Sequence, residues 1–462
     1  MAASAVKRVK VEEESAVDFD LVRRVGMHNA FEESAFKIAR QHYSTTPNGP
    51  YYFVVDAQPN AMTDPSTLEA LTSISIHEVE ANGTSKIIDA VAADYKGLGL
   101  LNHFAQLTFK IVRVSAGSNN WTCVSNFYWA SSYIETLLGT SKSTKESTLT
   151  GRGYYMDVGS EYEIVDSTAM QKRRRFWAPG HAVDVVMPLH VDLATAQGKL
   201  PPGMSLTVEI ERNDDEMCFM VAEAEKRTFK IVMDDLRIRV KQYTAADALR
   251  RDRNDLVNER WYLPYTRTEM GDFSIAPTET DINRDNQWSG NGPLPERVIV
   301  VMVDNESVAG TKKTNPLKFE STGFINAWLT QSGPNKIDIP FSEINVRDGG
   351  YGMASCYDKF QKAIGVTAEY DRDIGINLDD YSDGYFMIAW DLTSDACARA
   401  HFMHKPQYGT MGLKMQLAPS EGNFQRKTYR VFVYSVYPDI LKIEEDGRTS
   451  TMIYKKDPEL KL

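Results

Sequence analysis

An apolar period of two residues constrains this chain more than any other feature. In AVDVVMPLHVDL, Val183, Val185, Met187, Leu189, Val191 and Leu193 are apolar, with Asp184, Pro188, His190 and Asp192 between them. Successive side chains of a strand point to opposite faces, so this pattern predicts a long half-buried strand. Pro188 places it at an edge or a bulge, where a missing N–H costs nothing. MSLTVEIER repeats the alternation, Leu206, Val208 and Ile210 against Thr207, Glu209 and Glu211. In FKIVMDDLRIRVK the apolar set runs Phe229, Ile231, Met233 and then changes phase to Leu236, Ile238, Val240. A one-residue slip would send the second half to the wrong face, so a β-bulge is expected at Asp234–Asp235.

Two strands break the alternation. RVIVVMV (297–303) and YFMIAW (385–390) are apolar on both faces, which requires cover on the outer side from a second domain, a loop or another subunit. Helical spacing occurs in NWTCVSNFYWASSYIETLLG, where Val124, Phe127, Tyr128, Ser131, Ile134 and Leu138 form a stripe that stops at Gly139. YGMASCYDKFQKAIG does the same through Met353, Cys356, Tyr357, Phe360 and Ile364, ending at Gly365. A third helix is expected in TAADALRRDRNDLVNE, opened by a Thr244/Asp247 capping box.

These elements recur in order. Each half has a helix ending in Gly and a strand running into Asp-Leu, HVDLA at 190–194 and AWDLT at 389–393. Then come GMSLTVEI (203–210) or MGLKMQLA (411–418), and a long closing strand at 229–240 or 429–443. Four landmarks in one order predict two copies of an all-β unit. The expected fold is two tandem eight-stranded jelly rolls with a short inserted helix in each, a solution to the edge-strand problem. The boundaries read as an N-terminal arm (1–45), a first roll (46–243), a linker helix (244–260), a second roll (261–445) and a C-terminal tail (446–462).

The chain has 462 residues, enough for two large all-β domains, and a formal charge of −11. That charge argues against a protein whose main task is coating nucleic acid. The four cysteines (Cys123, Cys218, Cys356, Cys397) lie far apart with no CxxC pair, which fits a reducing compartment. The first residues carry no apolar signal core and no run of 18 apolar residues occurs, so neither secretion nor a membrane span is expected. Two basic runs stand out: KRVK (Lys7, Arg8, Lys10) and KRRRFW (Lys172, Arg173, Arg174, Arg175). Each is a candidate for nuclear import, and the second also for contact with nucleic acid, against the plainer reading of solvated or acid-paired charge.

Catalytic and cofactor motifs are missing. AGTKKTNPLKF lacks the second glycine of a phosphate loop, so it reads as a surface loop after a strand. His401 and His404 in HFMH, with Asp395 nearby, loosely evoke a two-His, one-carboxylate site, but the stretch reads as a loop between strands. The acidic runs NDDEM (213–217) and LDDYSD (378–383) read as polar turns. No nucleophile elbow, zinc helix or Cys/His pair occurs. The chain is read as non-enzymatic and without a cofactor or metal.

The segments SSYIETLLG, LHVDL…LPPGMSLTVEIERNDDEMCFM, LPERVIVVMVDNESVAGTKKTNPLKF, GYFMIAWDLTSD and MGLKMQLAPSEGNFQRKTYRVFVYS resemble the hexon-type major capsid proteins of adintoviruses and Polinton (Maverick) elements. They span residues 50–445 in the family's order; residues 1–45 match only loosely. The resemblance implies a double jelly roll, a homotrimer forming a pseudo-hexagonal capsomer, and an icosahedral shell around double-stranded DNA. It implies neighbouring capsomers, penton and minor capsid proteins as partners, with direct DNA contact secondary. It implies synthesis in the host cytoplasm, assembly in the nucleus and residence in the virion capsid. Side-by-side rolls within and between chains would cover the doubly apolar strands. The alternative from the binding class is a jelly-roll carbohydrate- or receptor-binding protein; that from the enzyme class is a cupin-like or glycoside-processing enzyme.

Overall fold

The computed structural model describes residues 31–44, 49–56, 58–88, 96–116, 119–120, 126–177, 180–245, 261–288, 292–332, 337–346, 351–366, 373–398, 404–420, 424–443 and 449–451. Sixteen strands form its frame. The first eight are β1 (Phe31–Ser44), β2 (Tyr51–Val55), β3 (Ala61–Val79), β4 (Phe109–Ala116), β5 (Asn119–Asn120), β6 (Val183–Pro188), β7 (Leu206–Arg212) and β8 (Thr228–Ala245). The second eight are β9 (Trp261–Ile275), β10 (Asp281–Trp288), β11 (Arg297–Asp304), β12 (Phe324–Ser332), β13 (Ile337–Pro340), β14 (Ile388–Asp391), β15 (Thr410–Leu417) and β16 (Tyr429–Ile443).

Hydrogen bonding orders the first set as β1-β8-β3-β6 and β2-β7-β4-β5, joined where the end of β1 pairs with β2. The second set gives β9-β16-β11-β14 and β10-β15-β12-β13. Adding eight to each label of the first unit reproduces the second, so the repeat read from four landmarks is a repeat of topology. Each unit is an eight-stranded jelly roll.

The alternations have the expected consequence. Leu206, Val208 and Ile210 are fully buried in β7, and Val185, Met187, Leu189, Val191 and Leu193 face the core. β6 itself stops at Pro188, and a 3₁₀ turn at Asp192–Thr195 follows, so the strand is shorter than its pattern. Among the described residues β6 pairs only with β3, as the proline predicts. The bulge in β8 is present: pairing jumps from Asp234↔Ser73 to Arg237↔Leu71, and Asp235 has φ 51°. One extra residue in the left-handed region restores the core face for Leu236, Ile238 and Val240.

Three boundaries move. Residues 31–44, expected in an arm, form β1 and pair with β8 from Phe31↔Ala245 to Arg40↔Arg237. FEESAFKIAR hides this because its strand is solvated on one side, with Phe36 and Ile38 about half exposed. Thr244 and Ala245, expected to open the linker helix, are the end of β8, and the rest of that helix lies outside the described residues. Thr449–Thr451, expected in the tail, pairs with β16. The two other helices are where the spacing put them: α1 (Tyr128–Gly139) and α3 (Met353–Ala363), each inserted between the fifth and sixth strands of its roll. A further helix, α2 (Thr168–Trp177), carries KRRRFW.

Candidate functional site

The most elaborated polar and aromatic constellation lies between the two rolls. Helix α1 is buried nearly all round, with Trp129, Tyr133, Ile134 and Leu137 at 2% exposure or less. Such a helix must be covered on two sides. One side meets its own roll, where Tyr128 lies 6.3 Å from Phe109 of β4. The other lies on the outer face of the second roll's sheet: Phe432 of β16 meets Phe127 at 4.9 Å and Trp129 at 5.8 Å, both edge-on. Phe319 meets Tyr133 at 5.6 Å, and Tyr385 meets Tyr162 at 5.3 Å.

This contact answers why RVIVVMV and YFMIAW are apolar on both faces. Val298 to Val303 and Tyr385 to Trp390 are all at 1% exposure or less within a single chain. Where the first roll reaches this sheet, at Phe319, Tyr385 and Phe432, the cover is its inserted segment, and the burial is complete without a sister copy.

Polar bonds fix the register of the seam. Glu135 of α1 accepts from the Tyr434 hydroxyl at 2.8 Å through one oxygen and contacts His190 Nδ1 at 2.9 Å through the other. Lys145, 2% exposed, donates to the carbonyls of Leu137 (2.6 Å) and Ile374 (2.7 Å), one in each roll. Asp192 accepts from the Thr268 N–H (3.1 Å) and hydroxyl (2.6 Å) on β9. Burial pushes the Asp192 carboxyl up to about 7 despite those bonds. The loop GTKKT is a strap rather than a free surface loop: Lys312 C=O accepts from Val221 N–H at 2.7 Å, and Lys312 pairs with Glu216 at 2.8 Å.

The expected basic patch divides. Lys172 is exposed, its Nζ 5.9 Å from the Tyr155 ring centre. Arg173 is 0% exposed: Nη2 bonds Asp157 Oδ1 at 2.6 Å, Nε donates to Leu100 C=O at 2.7 Å, and Nη1 donates to Tyr155 C=O at 2.5 Å. Burial pushes the Asp157 carboxyl up, and Arg173 opposes that shift. Arg174 is buried against Asp166 at 2.9 Å. Arg173 and Arg174 therefore cannot reach nucleic acid or an import receptor, a correction to the reading of KRRRFW as a surface run. A charge run on a helix gives no sign of its inward residues when their partners, Asp157 and Asp166, lie in the turns before it. Lys7, Arg8 and Lys10 lie outside the described residues, as does the Arg175 side chain.

The remaining candidates carry little chemistry. His404 lies 3.0 Å from Asp395 and 3.4 Å from Glu296, beside a pocket of about 350 Å³ lined by Leu294, Leu392 and Gln407. His401 lies outside the described residues. Among those described, no three His, Cys, Asp or Glu side chains are grouped to hold a metal ion. NDDEM is a turn in which Asp215 pairs with Arg212 at 2.7 Å and accepts from Ile231 N–H. LDDYSD is a short helix capped by Asn377. Cys218 and Cys356 are buried thiols, pushed up by burial, the latter to about 11. No helix among the described residues is long and apolar enough to cross a membrane.

Two sandwiches of one strand order, packed through an inserted helix, define a double jelly roll. The chain shares this fold with a chain of the Sputnik virophage, solved by cryo-EM, at TM-score 0.61 and 10% identity, covering 97% of this chain and 94% of that one. The mavirus major capsid protein matches at TM-score 0.51 and 11% identity (96% and 95% covered), and the Faustovirus major capsid protein at 0.52 and 7% (91% and 92%). No protein-family model matches. The uncharacterized protein F54H12.2 of Caenorhabditis elegans is 21% identical over 272 residues, 58% of this chain and 62% of that protein, less than two thirds of its length.

Proposed function

We propose that this chain is a structural, hexon-like major capsid protein. Three copies, each with two rolls, make a pseudo-hexagonal capsomer, and such tiles pave an icosahedral shell around double-stranded DNA. One observation carries the reading: the duplicated roll fills the chain and matches capsid proteins over more than nine tenths of both partners' length. The polar and aromatic investment lies between the rolls, where a building block needs rigidity.

The finer assignment rests on the resemblance to adintovirus and Polinton capsid proteins. It supplies penton and minor capsid proteins as partners and nuclear assembly after synthesis in the cytoplasm; the basic run KRRRFW, read from the sequence alone, leaves exposed Lys172 for a secondary DNA contact. The test is the mass of the purified chain by light scattering, followed by electron microscopy of assembly reactions. Three copies of a 52.1 kDa chain give about 156 kDa. A monomer that binds sugar or iron and builds no particles overturns the proposal in favour of the carbohydrate-binding or enzymatic alternatives.

A further inference from the structure

The far end of β3 folds back into a hairpin. Its last residues pair with the short strand Ser85–Ile87, from His77↔Ile87 to Val79↔Ser85, and Glu80-Ala81-Asn82-Gly83-Thr84 makes the connection. Glu80 N–H donates to Thr84 C=O and Gly83 N–H to Glu80 C=O, each at 2.9 Å. Every residue of the connection is exposed. Gly83 has φ 81°, and nothing lies within 4 Å of where a Cβ would stand. Asn82 is thus followed by the residue that leaves its side chain the clearest path to the next backbone nitrogen.

The Asn82 amide is held in place at both of its atoms. Oδ1 accepts from the Thr84 N–H at 2.8 Å and from the Thr84 hydroxyl at 2.6 Å, while Nδ2 donates to Glu80 Oε2 at 3.1 Å. A side-chain oxygen bonded to the N–H two residues on closes a small ring. That ring contains both Asn82 Cγ and the Gly83 nitrogen.

We propose that Asn82 is a site of spontaneous deamidation, which turns it into aspartate and isoaspartate. The Gly83 nitrogen attacks Asn82 Cγ: the N–Cγ bond forms and the Cγ–Nδ2 bond breaks. The proton lost by Gly83 joins the departing amide nitrogen, which leaves as ammonia. Water then opens the cyclic imide at either carbonyl and restores the Gly83 N–H, so water is the sole co-reactant. Negative charge develops on Oδ1 during the attack, and the Thr84 N–H and hydroxyl already point at that atom. The Gly83 bond to Glu80 C=O opposes the attack, but it is a single exposed bond at a hairpin end, of the kind that frays. The product carries a new negative charge beside Glu80, and the isoaspartate form lengthens the backbone of the turn.

The test is mass-spectrometric peptide mapping of the full-length chain aged at pH 8, in native buffer and in urea, with isoaspartate methyltransferase labelling to detect the isomer. Asn82 is expected to convert in the native chain. Thr84→Val, which keeps the backbone N–H and removes the hydroxyl, should slow that native conversion about tenfold, the factor one hydrogen bond carries in a rate. In urea the two chains should convert alike. The chain's other Asn-Gly pairs, Asn48-Gly49 and Asn291-Gly292, are the internal controls, since their rates should not respond to Thr84→Val. An Asn82 that stays intact in the native chain while converting in urea overturns the inference, and so does a native rate that Thr84→Val leaves unchanged. Should Thr84→Val misfold, the wild-type comparison decides alone.

Discussion

Replacing Arg173 by Ala separates a basic surface patch from a buried anchor. On a surface helix the substitution changes stability by no more than about 0.5 kcal/mol. Here Arg173 and Asp157 are 0% and 1% exposed and meet at 2.6 Å, with two further bonds to Leu100 and Tyr155 carbonyls. Removing the guanidinium strands a buried carboxylate, a defect that costs about 3–5 kcal/mol. Urea unfolding followed by tryptophan fluorescence reads the loss as a lower midpoint, and Lys172→Ala, one residue away and exposed, is the control. The pH dependence adds a second signature. Asp157 already has a raised folded-state pKa, and without Arg173 it rises further. A carboxyl raised on folding favours the native state at low pH and loses that advantage as pH climbs from its unfolded value through its folded one. The deficit of Arg173→Ala against wild type is therefore smaller at pH 5 than at pH 8. Equal midpoints for Arg173→Ala and Lys172→Ala at both pH values would refute the buried-anchor argument.

Asp192, raised to about 7 from 3.8, makes wild-type stability fall across that pH window; Asp192→Asn, which keeps the oxygen facing Thr268, should flatten the slope in urea titrations at several pH values. Gly384 has φ 113°, and a Cβ there would overlap the Tyr162 ring across the seam, so Gly384→Ala should lower stability by about 1–3 kcal/mol in calorimetry. Deleting Asp235 removes the extra residue of the β8 bulge and places Leu236, Ile238 and Val240 in unbroken alternation with Ile231 and Met233, still in register with β3; the chain should keep a cooperative urea transition, and Asp235→Gly, suited to φ 51°, should match wild type or exceed it slightly. Phe432→Ala should cost about 3–5 kcal/mol and reduce hydrogen-exchange protection in both rolls, because its ring touches Phe127 and Trp129 of the first.

What could be read in advance was whatever period two and period 3.6 write into consecutive residues. β7, the phase change in β8 and the helices at 128–139 and 353–363 are such features, and the order of landmarks made the duplication visible. β1 escaped because its apolar side chains, Phe36 and Ile38, face outward, so its pattern resembles that of a solvated arm. The seam escaped for another reason. Glu135 and Tyr434, or Arg173 and Asp157, are paired by tertiary placement, and neither member of a pair marks its partner in the chain. The double apolarity of 297–303 did announce that cover was needed, but a strand carries no record of whether the cover comes from its own chain or from another.

That last distinction bears on assembly. Had the outer face of β9-β16-β11-β14 waited for a neighbouring copy, each chain would expose a broad apolar sheet until it found partners, an aggregation hazard. Instead Phe432 is covered by Phe127 and Trp129 of the same chain, and Ile299 and Val301 are fully buried without another copy. A chain arranged this way can complete its core before it meets another copy. The corresponding face of the first roll is of a different kind: Arg239 is paired with Glu69 at 2.5 Å, and only Phe36 and Ile38 add large exposed apolar surface. Such a mixed face is compatible with water and still offers aromatic and charged groups for docking. The two rolls thus share a topology and differ in finish: one sheet is sealed by its own chain, and its counterpart stays mixed enough in character to face water.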